Sequence, residues 1–143
     1  MTDHTAPGLV TTTETGIVIV RCAGELDLNG TPSLRDALLG PIRAGARGVV
    51  VDLTETTFCD STVFSVLVEA SRAAAAQNVP YAIAAGQTAV ARPLQILGLD
   101  RLLPLHAGLD SAQAAVARRP ASPVPDPARR SPVRRLDDDR SQR

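Results

Sequence analysis

Hydroxyl and carboxylate side chains crowd into Thr54-Glu55-Thr56-Thr57-Phe58-Cys59-Asp60-Ser61-Thr62, between an apolar run and a helix-forming segment. Asp60, Ser61 and Thr62 fall where that helix must begin. A helix start presents unpaired amide hydrogens and the positive end of the helix dipole, so groups placed there sit in surroundings that favour negative charge. The same residue types are the preferred helix caps. Any of the three can therefore serve as a plain cap, and a cap and a functional hydroxyl are compatible roles.

Few other side chains are arranged for chemistry. Asp27 ends a loop before a predicted helix, where a solvated carboxylate is the commoner case. Asp52 interrupts an apolar strand; it either turns toward the loop to accept backbone amides or lies at the sheet end in water, and structural support is the expected role. His4 and His106 have no second ligand at metal spacing, and Cys22 and Cys59 carry no metal-ligand signature, so no metal is expected. A hydrolase built on Ser61, His106 and an aspartate would need a Gly-x-Ser-x-Gly elbow and an oxyanion loop, and the sequence offers neither. Without a single lysine, a Walker-type nucleotide site is excluded. The expectation is a protein that is not an enzyme and carries no cofactor.

Composition narrows the partners. Of the 143 residues 44% are hydrophobic, enough for a core, but Phe58, Phe64 and Tyr81 are the only aromatics. The core must be aliphatic, and no surface is equipped to stack bases. All 15 fixed cations are arginines, balanced by 15 acids. The balance is uneven along the chain, with residues 1–118 summing to −3 and 119–143 to +3. Two cysteines are far below a disulfide framework, so buried reduced thiols are expected. The start MTDHTAPG lacks the features of a signal peptide, and no apolar stretch is long enough to cross a bilayer. A cytoplasmic protein without membrane contact is expected.

The elements that must position Ser61 alternate. Leu9 to Thr13 and Ile17 to Ala23 are β-branched runs around Glu14-Thr15-Gly16, an antiparallel hairpin. Thr31-Pro32 reads as an N-cap and first helical position, and Gly40-Pro41 predicts a stop or kink near residue 40. Gly48 to Leu53 is nearly all apolar, the pattern of a central strand covered on both faces. A helix is predicted from Thr62 to Gln77 with Asn78 as its stop, then a strand from Pro80 to Ala85. A helix from Thr88 to Leu97, a strand from Leu102 to Leu105 and a final helix opening at Asp110, with Gln113 reaching back, complete the chain. The expected fold is α/β, a mixed sheet with crossover helices in the order β-β-α-β-α-β-α-β-α. Residues 1–8 are expected to be loose, 9–118 to form the domain, and the Arg- and Pro-rich 119–143 to be a disordered tail.

Four segments in this order resemble the STAS-domain anti-sigma factor antagonists of bacteria. They are Gly24-Glu25-Leu26-Asp27, the Val-rich strand ending Asp52-Leu53, Phe58-Cys59-Asp60-Ser61-Thr62, and Gly98-Leu99-Asp100-Arg101-Leu102-Leu103-Pro104. The likeness spans about residues 9–117 and leaves the tail uncovered. It implies a STAS-like sheet and a protein that binds an anti-sigma factor of the serine-kinase type, frees a sigma factor and is switched off by phosphorylation. The hydroxyl directly after the Asp, Ser61, would be the phosphoacceptor, with Thr62 as second choice and a phosphatase to reverse the step. Asp27, Asp60, Thr62 and Val63 would line the partner surface. One departure stands out: the family pattern continues with a Gly and an aliphatic residue, where this chain has Val63 and Phe64. Val63 either alters partner choice and phosphorylation or simply packs inward.

Two other classes remain open at this point. One is a STAS scaffold that uses the same surface for assembly without switching. The other is a nucleic-acid adaptor driven by Arg129-Arg130 and Arg134-Arg135, against which stands a self-neutralising tail with Asp137-Asp138-Asp139 and no direct DNA binding.

Overall fold

A computed structural model describes residues 8–118. β1 (Leu9–Glu14) and β2 (Ile17–Leu26) form the expected antiparallel hairpin. Thr15 and Gly16 both take positive φ, 51° and 85°, the two-residue turn whose twist matches the strands it joins. The Gly8 carbonyl accepts the Ala23 amide at 2.7 Å, and at its φ of +79° any Cβ would strike the Ala23 carbonyl oxygen. The remaining expectations for residues 1–7 and 119–143 lie outside the described residues.

The hairpin feeds a five-stranded sheet in the order β1-β2-β3-β4-β5, in which β2, β3 (Gly48–Cys59), β4 (Tyr81–Ala84) and β5 (Leu105–His106) are parallel. Parallel neighbours need crossovers, supplied by α1 (Thr31–Arg43), α2 (Ser61–Gln77) and α3 (Thr88–Ile96), the last followed by a 3-10 turn at Leu99–Arg101. All three helices bury one large aliphatic core against one face of the sheet, through Leu34, Leu38 and Ile42, Val63 and Leu67, and Val90 and Leu94. α4 (Leu109–Arg118) covers part of the other face with Ala112 and Val116. In β3, Val49, Val51 and Leu53 enter the large core while Val50 enters the small one, which is why the run is continuously apolar.

Several boundaries differ from the sequence expectation. α1 continues through Pro41 to Arg43, and its N-cap is Gly30, with Thr31 already helical. Proline in the last turn forfeits a single hydrogen bond, and the fully buried Ile42 holds the extra residues against the core. β3 runs to Cys59 and absorbs the threonine-rich segment expected to be a connection, because β2 continues beside it to Leu26 with two register shifts. The last strand starts at Leu105, not Leu102; Pro104 has no amide to donate, and its carbonyl accepts from Ile83. Asp110 stands inside α4, one residue past its start, and not at the cap.

Asp52 lies buried on the small-core side of β3, far along the strand from Ser61. Its carboxylate accepts from the Thr54 amide at 3.0 Å, the Thr54 hydroxyl at 2.6 Å and Arg21 Nε at 3.0 Å. Burial works to raise its pKa, yet the Thr54 hydroxyl and amide and the Arg21 guanidinium together hold it below the ordinary aspartate value. A depressed folded-state pKa contributes stability that is present above the unfolded value of about 3.9 and lost as pH falls through the folded one. Asp52→Asn should cost about 1–3 kcal/mol at neutral pH. In urea titrations at a series of pH values, the gap between the two proteins should narrow below about pH 4; a gap independent of pH would contradict this reading.

Candidate functional site

The end of β3 delivers Asp60 to the start of α2. Asp60 is the N-cap, with extended backbone and a carboxylate that accepts the Thr62 amide at 2.9 Å and also the Thr62 hydroxyl. Its own amide donates to the Leu26 carbonyl at 3.2 Å, which ties the cap to the end of β2. The Thr62 hydroxyl is the largest influence holding the Asp60 carboxyl below its usual pKa. The amides of Thr62, Val63 and Leu28 add to this against a partial desolvation. Asp60 is therefore an ionised hub that fixes the helix start and the neighbouring loop.

The two candidate hydroxyls separate clearly. Ser61 is the first residue of α2 and is exposed. Thr62 is half-buried, and its oxygen lies 2.9 Å from Thr31 Oγ1 as well as against Asp60. A hydroxyl has one proton, and that of Thr62 is committed to the carboxylate. With that proton spent, the single Thr31 proton is shared between the Thr62 oxygen and the Asp27 carbonyl, which lies 3.0 Å away. The starts of α1 and α2 thus meet at the Thr31–Thr62 pair, and of the two candidate hydroxyl residues Ser61 is the exposed one.

Asp27 is exposed and accepts the Asn29 amide at 3.0 Å, shaping the loop between β2 and α1. The threonine pair brings this loop to Asp60 and Ser61. Val63 is a correction. It is fully buried among the core side chains, so it supplies packing and not partner contact. His106 accepts or donates through Nδ1 to Ser111 at 2.8 Å, its neighbour across the turn into α4.

An apolar groove of about 360 Å³ begins at Ser61, lined by Phe64, Ser65 and Val68 of α2 and by Leu97 and Leu99 beyond α3. Leu97 on its far wall is 58% exposed, an apolar side chain open to solvent. Sequence reading missed this groove, because its two walls come from separate segments, residues 61–68 and 97–99. It also missed Gln87, whose side-chain amide donates to the carbonyls of Leu53 and, at 2.8 Å, Thr56. The available signal was a glutamine standing just before Thr88, where a helix start usually has Ser, Thr, Asp or Asn.

Both cysteines are buried and free. Burial pushes the thiols of Cys22 and Cys59 up to about 12, helped at Cys22 by Cys59 and Asp52 and at Cys59 by Asp60. Alkylation with iodoacetamide near pH 8, followed by intact-mass measurement, should leave both unmodified in the folded protein and modify both in denaturant; rapid native labelling of either would contradict the burial.

Among the described residues no helix is long and apolar enough to cross a membrane. The sequence pattern of the STAS domain family matches residues 9–112. The anti-sigma-F factor antagonist RsfB of Mycobacterium tuberculosis is 26% identical over 114 residues, covering 78% of this chain and 93% of RsfB. The crystal structure of an anti-sigma factor antagonist from Mycobacterium paratuberculosis superposes with a TM-score of 0.70 at 26% identity, over 76% of this chain and 92% of that one. The Bacillus cell fate determinant SpoIIAA, solved in its phosphorylated form, shares the fold with a TM-score of 0.62 at 18% identity, over 77% and 99% of the two chains. With the family pattern spanning β1 to the start of α4, the chain belongs to the STAS domain family.

Proposed function

We propose that this protein is an anti-sigma factor antagonist. It binds a kinase-type anti-sigma factor through the surface around Ser61, frees the sigma factor that partner held, and is switched off when the partner phosphorylates Ser61. The protein acts by binding, in the cytoplasm, and not as an enzyme. ATP and Mg²⁺ belong to the partner: the γ-phosphoryl passes to Ser61 Oγ, the hydroxyl proton leaves to a base on the partner, and ADP departs. A phosphatase returns the free hydroxyl.

The observation that carries this reading is the exposed Ser61 oxygen at the first position of α2, next to an apolar groove, with the neighbouring hydroxyl already engaged. Two antagonists at 26% identity support it. The helix dipole tolerates anionic charge at this position, so the fold has no need to rearrange. A partner pressed against the groove meets a group of about −1.5 to −2 charge beside Asp60, with the bulk and desolvation that follow.

Incubation with the candidate kinase and Mg-ATP, followed by intact-mass measurement and peptide mapping, tests the switch. A single phosphate on Ser61, absent from Ser61→Ala, is expected. Phosphate confined to Thr62 or Ser65, or no transfer to a chain that nonetheless binds the kinase, would overturn it.

A further inference from the structure

We propose that Gln87 is a positioning residue that sets the spacing between the two walls of the Ser61 groove, by stapling the free end of β3 to the start of α3. β4 pairs with β3 only from Val49 to Asp52, so the last residues of β3 extend past their neighbour. Carbonyl groups on that side of the strand lose the partners a continuing β4 would supply, and an unpaired backbone group away from water is costly. Gln87 fills the gap. Its Nε2 group has two protons, and it donates to the carbonyls of both Leu53 and Thr56. Thr56 is held from the other side, where its hydroxyl donates to the Cys22 carbonyl at 2.8 Å.

Gln87 gives up a local role to do this. It is the N-cap of α3, and its carbonyl accepts from Val90 and Ala91, yet its side chain makes no cap hydrogen bond. A residue that breaks the local preference for a capping side chain, while spending both donors on another element, is set by tertiary need. One end of the staple leads through Phe58 and Asp60 to Ser61; the other leads through α3 to Leu97 and Leu99. Gln87 itself does not line the groove. It acts through the elements that do.

The consequence for binding rests on the partner reading above, whereas the consequence for the groove does not. Gln87→Glu is nearly isosteric but sets a carboxylate against two carbonyl oxygens; protonation restores one donor. Gln87→Ala removes both donors at every pH. Amide spectra of the full chain should show shifts at Leu53–Ser61 and Ala91–Leu99 in both variants at neutral pH. In Gln87→Glu those shifts should move back toward the parent as the pH is lowered past the introduced carboxyl's pKa, whereas Gln87→Ala should not recover. Asp52, Glu55 and Arg92, the ionisable groups on the same two elements, are common to all three proteins, so the readout is variant against parent at each pH. Affinity for the anti-sigma partner should fall about tenfold in both variants, as expected when two hydrogen bonds that hold a surface are lost, with acid recovery in Gln87→Glu alone. Shifts spread evenly over the sheet, or confined to residue 87 and its neighbours, would overturn the proposal, as would unchanged partner affinity. If the parent binds no anti-sigma partner, that reading falls by itself, and the acid-reversible shifts on both walls still decide the staple.

Discussion

Ser61→Asp should weaken binding to the anti-sigma partner by about 100-fold, because like charge placed at a docking surface costs several kcal/mol. Ser61→Ala should bind within about threefold of the parent, since truncating a serine hydroxyl at an interface rarely costs more than one hydrogen bond. The asymmetry follows from where the oxygen stands. At the first position of α2 a carboxylate meets the helix dipole favourably, an effect of about 0.3–1 kcal/mol, and the neighbouring Asp60 charge works against part of it. The melting temperature should therefore stay within a few degrees of the parent. Titration calorimetry and circular dichroism on the three proteins read both quantities. Equal affinities for the Asp and Ala variants would mean that the surface does not sense charge at this position.

The second large effect falls on the fold. Val63→Gly, which installs the residue type the family pattern carries at this place, should destabilise the protein by about 2.5–4 kcal/mol. About 1.5–3 kcal/mol of this is lost burial of a side chain that is fully enclosed, and about 1 kcal/mol is the cost of glycine within a helix. For a domain of this size the melting temperature should drop by roughly 10–20 °C. Val63 packs in one core with Leu34, Leu67 and Leu94, and nothing in the family pattern's glycine would fill that volume. Retention of parent stability would show that neighbouring side chains collapse into the space, and would reopen a role for this position at the partner surface.

What the sequence made legible divides along physical lines. The hairpin, the doubly buried run from Val49 to Leu53 and the stop at Asn78 were readable because each is written in local residue types, with β-branched alternation, continuous apolarity and a left-handed cap. Asp60 and Ser61 were readable for the same reason. Thr54 to Cys59 was not, because threonine suits both a loop and a strand, and only the neighbouring length of β2 decides. Pro41 misled because its cost depends on how many hydrogen bonds follow it and on Ile42, whose burial the local sequence does not announce. The resemblance already put Ser61 ahead of Thr62; what the sequence did not announce is that the Thr62 oxygen lies against Thr31, which belongs to a different helix. The groove and the Gln87 staple are tertiary from the start. Leu97 and Leu99 become a wall, and a glutamine amide becomes a substitute for a missing strand, only once α3 is laid beside the end of β3.

The most direct measurement is calorimetric titration of the anti-sigma partner with the chain quantitatively phosphorylated at Ser61, beside the unmodified chain, with a thermal melt of each. Binding lost or reduced by two orders of magnitude or so, with nearly coincident melts, is the predicted result. Equal affinity of the two forms would contradict the account, and so would a phosphorylated form that loses binding because it has unfolded.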